Sequence, residues 1–132
     1  MIELDDARYV LLTTFKRDGS PVSCPVWITG TTSTYVFTTG DKAWKTRRLL
    51  RNSSVQVQVC NMRGRVKPGA TLYLGTGLVA TSSEAVFAAE RQLRAKYGWK
   101  FKATKVADRL KASFGRGERQ KVVAVQLSIS ET

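Results

Sequence analysis

A chain of 132 residues has room for one domain with a real core and not for a second one, so residues 1–132 are read as a single unit. It carries 22 basic residues against 10 acidic ones and no histidine, for a net charge of +12. That composition excludes a Ser/His/Asp triad, a Cys/His pair and any histidine metal ligand, and it leaves no catalytic side chain and no metal site to nominate.

The basic excess is uneven. Residues 1–40 sum to −1, whereas residues 41–67 and residues 84–121 each sum to +7. Such a chain is drawn to polyanions, whether nucleic acid, anionic lipid, or a phosphorylated or polycarboxylated small molecule. Cys24 and Cys60 are too few for a disulfide framework and sit in strand-like patterns, which fits a reducing, cytoplasmic setting. No stretch approaches the length of a membrane span, and the N-terminus MIELDDAR is acidic where a signal peptide is basic.

In chain order, Arg8 to Lys16 is rich in β-branched and aromatic residues, the turn Arg17-Asp18-Gly19-Ser20 follows, and Pro21 to Thr29 completes a hairpin. Pro25 cannot donate a ladder hydrogen bond, so its strand is expected at an edge or bulged. Gly30 to Ser33 turns the chain into a third strand, Thr34 to Thr39. Gly40 stops it, and Asp41 is expected to cap a helix running from Lys42 to Arg51. Val55, Val57 and Val59 alternate with Gln56, Gln58 and Cys60 in a strand with one wet face. Residues 61–69 read as a basic loop, solvated by default, with binding through Arg63, Arg65 and Lys67 as the lesser reading.

Thr71 to Thr81 is a long strand in which Gly75 and Gly77 either allow a close approach or mark a bend. Thr81 is expected to cap a helix with Glu84 at its third position, and Val86, Ala89, Leu93 and Tyr97 share a stripe that ends at Gly98. A further helix is expected after Trp99, with Ala103, Val106, Ala107, Leu110 and Phe114 at helical spacing and Gly115-Arg116-Gly117 ending it, and Lys121 to Ile129 closes the chain as a strand. Six strands with short links and few helices argue for an antiparallel barrel or folded sheet flanked by helices, not a doubly wound fold.

The sharpest feature is the run Lys42, Lys45, Arg47, Arg48 and Arg51. Residues 44, 48 and 51 share one helix face and residues 42, 45 and 49 another. A merely solvated helix would interleave acids, and only Asp41 is present, so phosphate binding near the helix start is favoured. Trp27 and Trp44 read as core by default, or as walls of a slot for a flat aromatic ligand.

The ordered segments LTTFKRDGSPVSCPVW, YVFTTG, WKTRRLLRNSSVQV, RGRVKPGA, GTG and KYGW resemble the actinobacterial flavin/deazaflavin oxidoreductases of the pyridoxamine 5′-phosphate oxidase-like superfamily, from about Arg8 to Ile129. The resemblance implies a mainly β, six-stranded antiparallel split β-barrel that forms a homodimer with cofactor sites at its interface. It implies the deazaflavin coenzyme F420, with its anionic phosphate and oligoglutamate tail, as cofactor, and FMN as the alternative. By the same resemblance Lys45 meets the cofactor phosphate, Thr38 and Thr39 lie beside the ring and linker, and Pro25, Val26 and Trp27 line the ring system. Arg47 and Arg51 are assigned to the phosphate or tail. Several relatives carry an arginine where this chain has Ala43, and Lys42 is the cation placed to substitute for it.

The leading functional expectation is therefore an F420H2-dependent reductase acting on a small unsaturated organic acceptor, in which the cofactor carries the hydride and the protein supplies binding, orientation and shielding. Two alternatives stand beside it. One is a protein that binds FMN, F420 or haem without turnover, and the other is a small basic barrel that binds nucleic acid through residues 84–121 and the loop near Arg65.

Overall fold

The computed structural model describes residues 2–98 and 121–130. Its elements are α1 (Ile2–Asp6), β1 (Tyr9–Phe15), β2 (Pro21–Val26), β3 (Thr29–Thr31), β4 (Thr34–Gly40), α2 (Trp44–Arg51), β5 (Ser54–Cys60), β6 (Tyr73–Ala80), α3 (Ser83–Tyr97) and β7 (Val122–Ser130). The helix expected between Trp99 and Gly115 lies outside the described residues. No described helix is long and apolar enough to cross a membrane.

The strands form one antiparallel sheet in the order β2-β1-β5-β6-β7-β4-β3, curled as in a split barrel. Among the described residues there are seven strands rather than six, because Pro21–Thr29 is not continuous. It breaks at Trp27-Ile28, and β3 then pairs with β4 through Thr29↔Val36 and Gly30↔Tyr35. The turn expected at Gly30 to Ser33 narrows to Thr32 and Ser33, both at positive φ (53° and 75°), with Ser33 held by the bond from the Ile129 amide to its carbonyl (2.8 Å). Gly30 belongs to the strand, where a side chain would run into the Thr34 carbonyl. β2 is an edge strand, the kind of place in a sheet to which proline is confined.

Alternation explains the core. Val10 and Leu12 of β1, Val55 and Val57 of β5, Tyr35 and Phe37 of β4, and Val125 and Leu127 of β7 all point inward and are buried. Leu4 of α1 plugs one end, and the Tyr35 hydroxyl donates to Asp5 of the same helix (2.5 Å). The glycines of β6 serve close approach. A side chain at Gly75 would meet the Ser128 carbonyl, and one at Gly77 would come within 3.1 Å of Leu49, so Gly77 is what lets α2 lie down on the sheet.

Two helix starts differ from expectation. Ser82, not Thr81, caps α3, accepting from the Ala85 amide (3.1 Å). Asp41 does not cap α2, because its carboxylate accepts from the Lys121 amide (3.1 Å) and its own amide donates back to the Lys121 carbonyl (2.8 Å). The helix begins at Trp44 after Ala43, with no side-chain cap and no acid in its first turn, so Lys42 lies outside it.

Candidate functional site

The β1–β2 hairpin and α2 face each other across an open cleft of about 640 Å³. Its floor and wall are Val22 and the ring of Trp44, which is 64% exposed. Lys16 and Arg17 from the hairpin turn, and Arg48 and Arg51 from α2, supply four cations. The turn is closed by its own bonds: Gly19 takes φ +89°, the Lys16 amide donates to the Ser20 carbonyl (2.9 Å), and Asp18 accepts from both the Ser20 amide (2.9 Å) and hydroxyl (2.6 Å). Those bonds hold the Asp18 carboxyl below its usual pKa and commit the acid to the turn.

On the helix side, Trp44, Arg48 and Arg51 recur at the spacing that puts them on one face. Arg47 stacks over the Trp44 ring at 4.9 Å. Arg48 is half-buried, and its Nε donates to the hydroxyl of buried Thr14 (2.6 Å). Burial pushes its pKa down, and neighbouring Arg51 adds to the effect. A flat apolar wall ringed by cations, with its acid already committed, suits a planar molecule bearing an anionic group.

Of the residues assigned from sequence, Arg51 lines this cleft and Arg47 covers its tryptophan, whereas Lys42 is exposed ahead of α2 and Lys45 is half-buried on the adjoining face. Thr38 is half-buried opposite Ala124, and Thr39 is buried opposite Val123. Pro25 is half-buried beside Gly64 of the basic loop, and Val26 is core opposite Val10. Trp27 is buried beneath α3, stacked on Tyr97 (4.4 Å, 7° between planes), with Tyr9 at its edge. Trp27 and Trp44 thus have unrelated surroundings.

The loop after β5 is more ordered than a solvated run. The Asn61 side chain accepts from the amides of Arg63 and Arg65 (2.9 and 3.0 Å). Lys16, Arg17 and Arg48 were not among the residues assigned from sequence. The shared face of residues 44, 48 and 51 was a signal for Arg48, but nothing local shows that the hairpin turn would come to lie opposite it.

A family model for pyridoxamine 5′-phosphate oxidase matches residues 3–124, which is most of the chain. The chain belongs to that family. No curated protein sequence matches it significantly. Among solved structures, this member of the pyridoxamine 5′-phosphate oxidase family is similar to a putative pyridoxamine 5′-phosphate oxidase from Listeria innocua, with 15% identity, a TM-score of 0.62, and coverage of 98% of this chain and 90% of that one. It is also similar to an F420 reductase (17% identity, TM-score 0.59, coverage 97% and 90%) and to the haem storage protein HutZ from Vibrio cholerae (13% identity, TM-score 0.69, coverage 98% and 86%). At these identities the likeness shows the fold, and neighbours of one fold carry different ligands.

Proposed function

We propose that the protein is a cytoplasmic oxidoreductase of the actinobacterial F420-using branch, which uses the reduced deazaflavin coenzyme to reduce a small unsaturated organic acceptor. The observation that carries this reading is the cleft between the β1–β2 hairpin and α2, with its aromatic wall and four cations. The donor set fits a phosphate or a carboxylate tail. The chain's residues bind the anionic portion and orient the molecule against Trp44, and the deazaflavin when bound supplies the hydride.

FMN is the alternative cofactor, favoured by the oxidase family to which the chain belongs. Haem is less well served, because a chain without histidine has only softer or rarer axial ligands to offer.

We further propose a homodimer. None of the residues in β4, β5, β6 and β7 is charged, although the chain is strongly basic. Their solvent side exposes Thr34, Leu74, Thr76, Leu78 and Gln126 as a charge-free face. Burying that face between two copies keeps their net positive charges apart. Leu78→Lys is expected to turn the dimer into a monomer in sedimentation experiments; a parent protein that sediments as a monomer overturns the proposal.

The deciding experiment measures affinities for F420 and FMN side by side and then follows oxidation of the reduced coenzyme with unsaturated acceptors. Tight F420 binding with turnover supports the reading. Binding without turnover leaves a carrier, and steeply salt-dependent binding to mixed-sequence oligonucleotides in place of either cofactor points to the nucleic-acid alternative.

A further inference from the structure

The resemblance puts the anion on Lys45, but the side chain best prepared to receive one is a different residue. Arg48 is half-buried, so part of its solvation is already gone. Its Nε is fixed by Thr14 Oγ1 at 2.6 Å, and Thr14 is itself only 1% exposed and anchored in β1. One edge of the guanidinium is thus tied to the sheet, and the rest of the fork serves the cleft that Arg48 lines. Among the described residues no carboxylate pairs with it, Asp18 being engaged by Ser20. Arg51 sits one turn on along the same wall, and two neighbouring guanidinium groups repel each other unless an anion bridges them.

We propose that Arg48, positioned by Thr14, is the residue that grips the ligand's anionic group, while Trp44 covers its flat body. The inference rests on the functional reading above insofar as the ligand is a flat phosphate-bearing cofactor. The planar fork offers two parallel donors to a phosphate or carboxylate, where a lysine offers a point charge. Thr14 is a positioning residue, acting only through Arg48. Lys45, on the adjoining face, contributes to the field around the helix start and not to the grip.

The test pairs FMN with riboflavin, which has the same ring and no phosphate, and repeats the titration with F420. Arg48→Ala is expected to weaken FMN and F420 by roughly thirty-fold, the scale of losing a charge-assisted bond, while riboflavin is unchanged. Lys45→Ala is expected to cost less than about three-fold. Thr14→Val is expected to cost roughly five-fold for FMN and nothing further in an Arg48→Ala background, a non-additivity that a general packing defect does not produce. Should the alanine variant not fold, Arg48→Lys keeps stem and charge and is still expected to lose roughly five-fold, because the fork is gone.

Parent-like FMN and F420 binding by Arg48→Ala, or a larger loss in Lys45→Ala, overturns the proposal. If the parent binds neither cofactor, the functional reading falls, and phenyl phosphate takes their place as probe. Binding that Arg48→Ala abolishes then upholds the Arg48 grip, and binding that it leaves intact, or none by the parent, overturns it.

Discussion

Trp27, stacked on a tyrosine that carries Lys96 over its ring, and Trp44, with Arg47 over its own, both look like core residues in sequence, yet the structure puts them to opposite uses. Around Trp27 the donors of Tyr97 and Lys96 are turned inward. The Tyr97 hydroxyl donates to the carbonyls of Arg8 (2.8 Å) and Ile28 (3.0 Å), and the Lys96 ammonium donates to those of Ala7 (2.7 Å) and Ile28 (2.8 Å). Those bonds pin the end of α3 to the start of β1 and to the break between β2 and β3. Around Trp44 the cations line an open cleft, and only one edge of Arg48 is tied down. An aromatic ring with a cation beside it is therefore not the mark of a site. What separates the two regions is whether the chain's own carbonyls have used up the donors.

The largest expected effect tests that contrast directly. Trp27→Ala removes a buried, stacked ring and is expected to cost about 3–5 kcal/mol in a denaturant melt. Trp44→Ala is expected to stay within about 0.5 kcal/mol of the parent, while FMN or F420 binding falls at least about ten-fold, the scale of a lost ring contact. Similar stability losses in the two variants would dissolve the distinction.

A smaller effect reaches the cleft from beneath. Gly77→Ala places a methyl group within 3.1 Å of Leu49, the buried residue that seats α2 on the sheet. Crowding of this kind is expected to cost about 1–3 kcal/mol. It also shifts α2 and weakens cofactor binding, although no cleft residue has changed. A variant that loses stability but binds normally would show that the cleft does not depend on how α2 is seated.

The contrast also shows which parts of the molecule local sequence encodes. Strand alternation is periodic over two residues, so β1, β4, β5, β6 and β7 were legible, while Pro25 left an edge or a bulge open and the sheet takes the edge. The stripe Ala89, Leu93 and Tyr97 was legible for the same reason at helical spacing. The break at Trp27-Ile28 was not, because it depends on α3 and α1 packing from elsewhere, and apolar runs do not announce where they change partner. Asp41 read as a cap because aspartate before a helix usually is one; a strand terminus some 80 residues away outcompeted the helix for its carboxylate. In the cleft, the face shared by residues 44, 48 and 51 is a local property and was readable. That Lys16 and Arg17 stand across from it is a property of the sheet's closure.

The smallest expected effect concerns pH and again separates the two regions. Burial lowers the pKa of the Lys96 ammonium, with Asp6 and Asp5 opposing the shift. The unfolded chain therefore holds this proton more firmly than the folded one. Between the folded value and the ordinary lysine value of about 10.4, the unfolded state binds more protons, and stability contributed by this group rises with pH. Tyr35 has the opposite sign: burial and the bond to Asp5 raise its pKa, so above about pH 10 the unfolded phenol ionises first and stability falls. The Lys96 slope is thus read just below that point. Lys96→Met is expected to remove the slope while leaving FMN binding unchanged, and Arg48→Met to leave the slope intact while weakening FMN. The Arg48 guanidinium stays charged throughout this range, so the fold-loss of FMN binding in Arg48→Met is expected to be the same at both ends of the window in which stability changes.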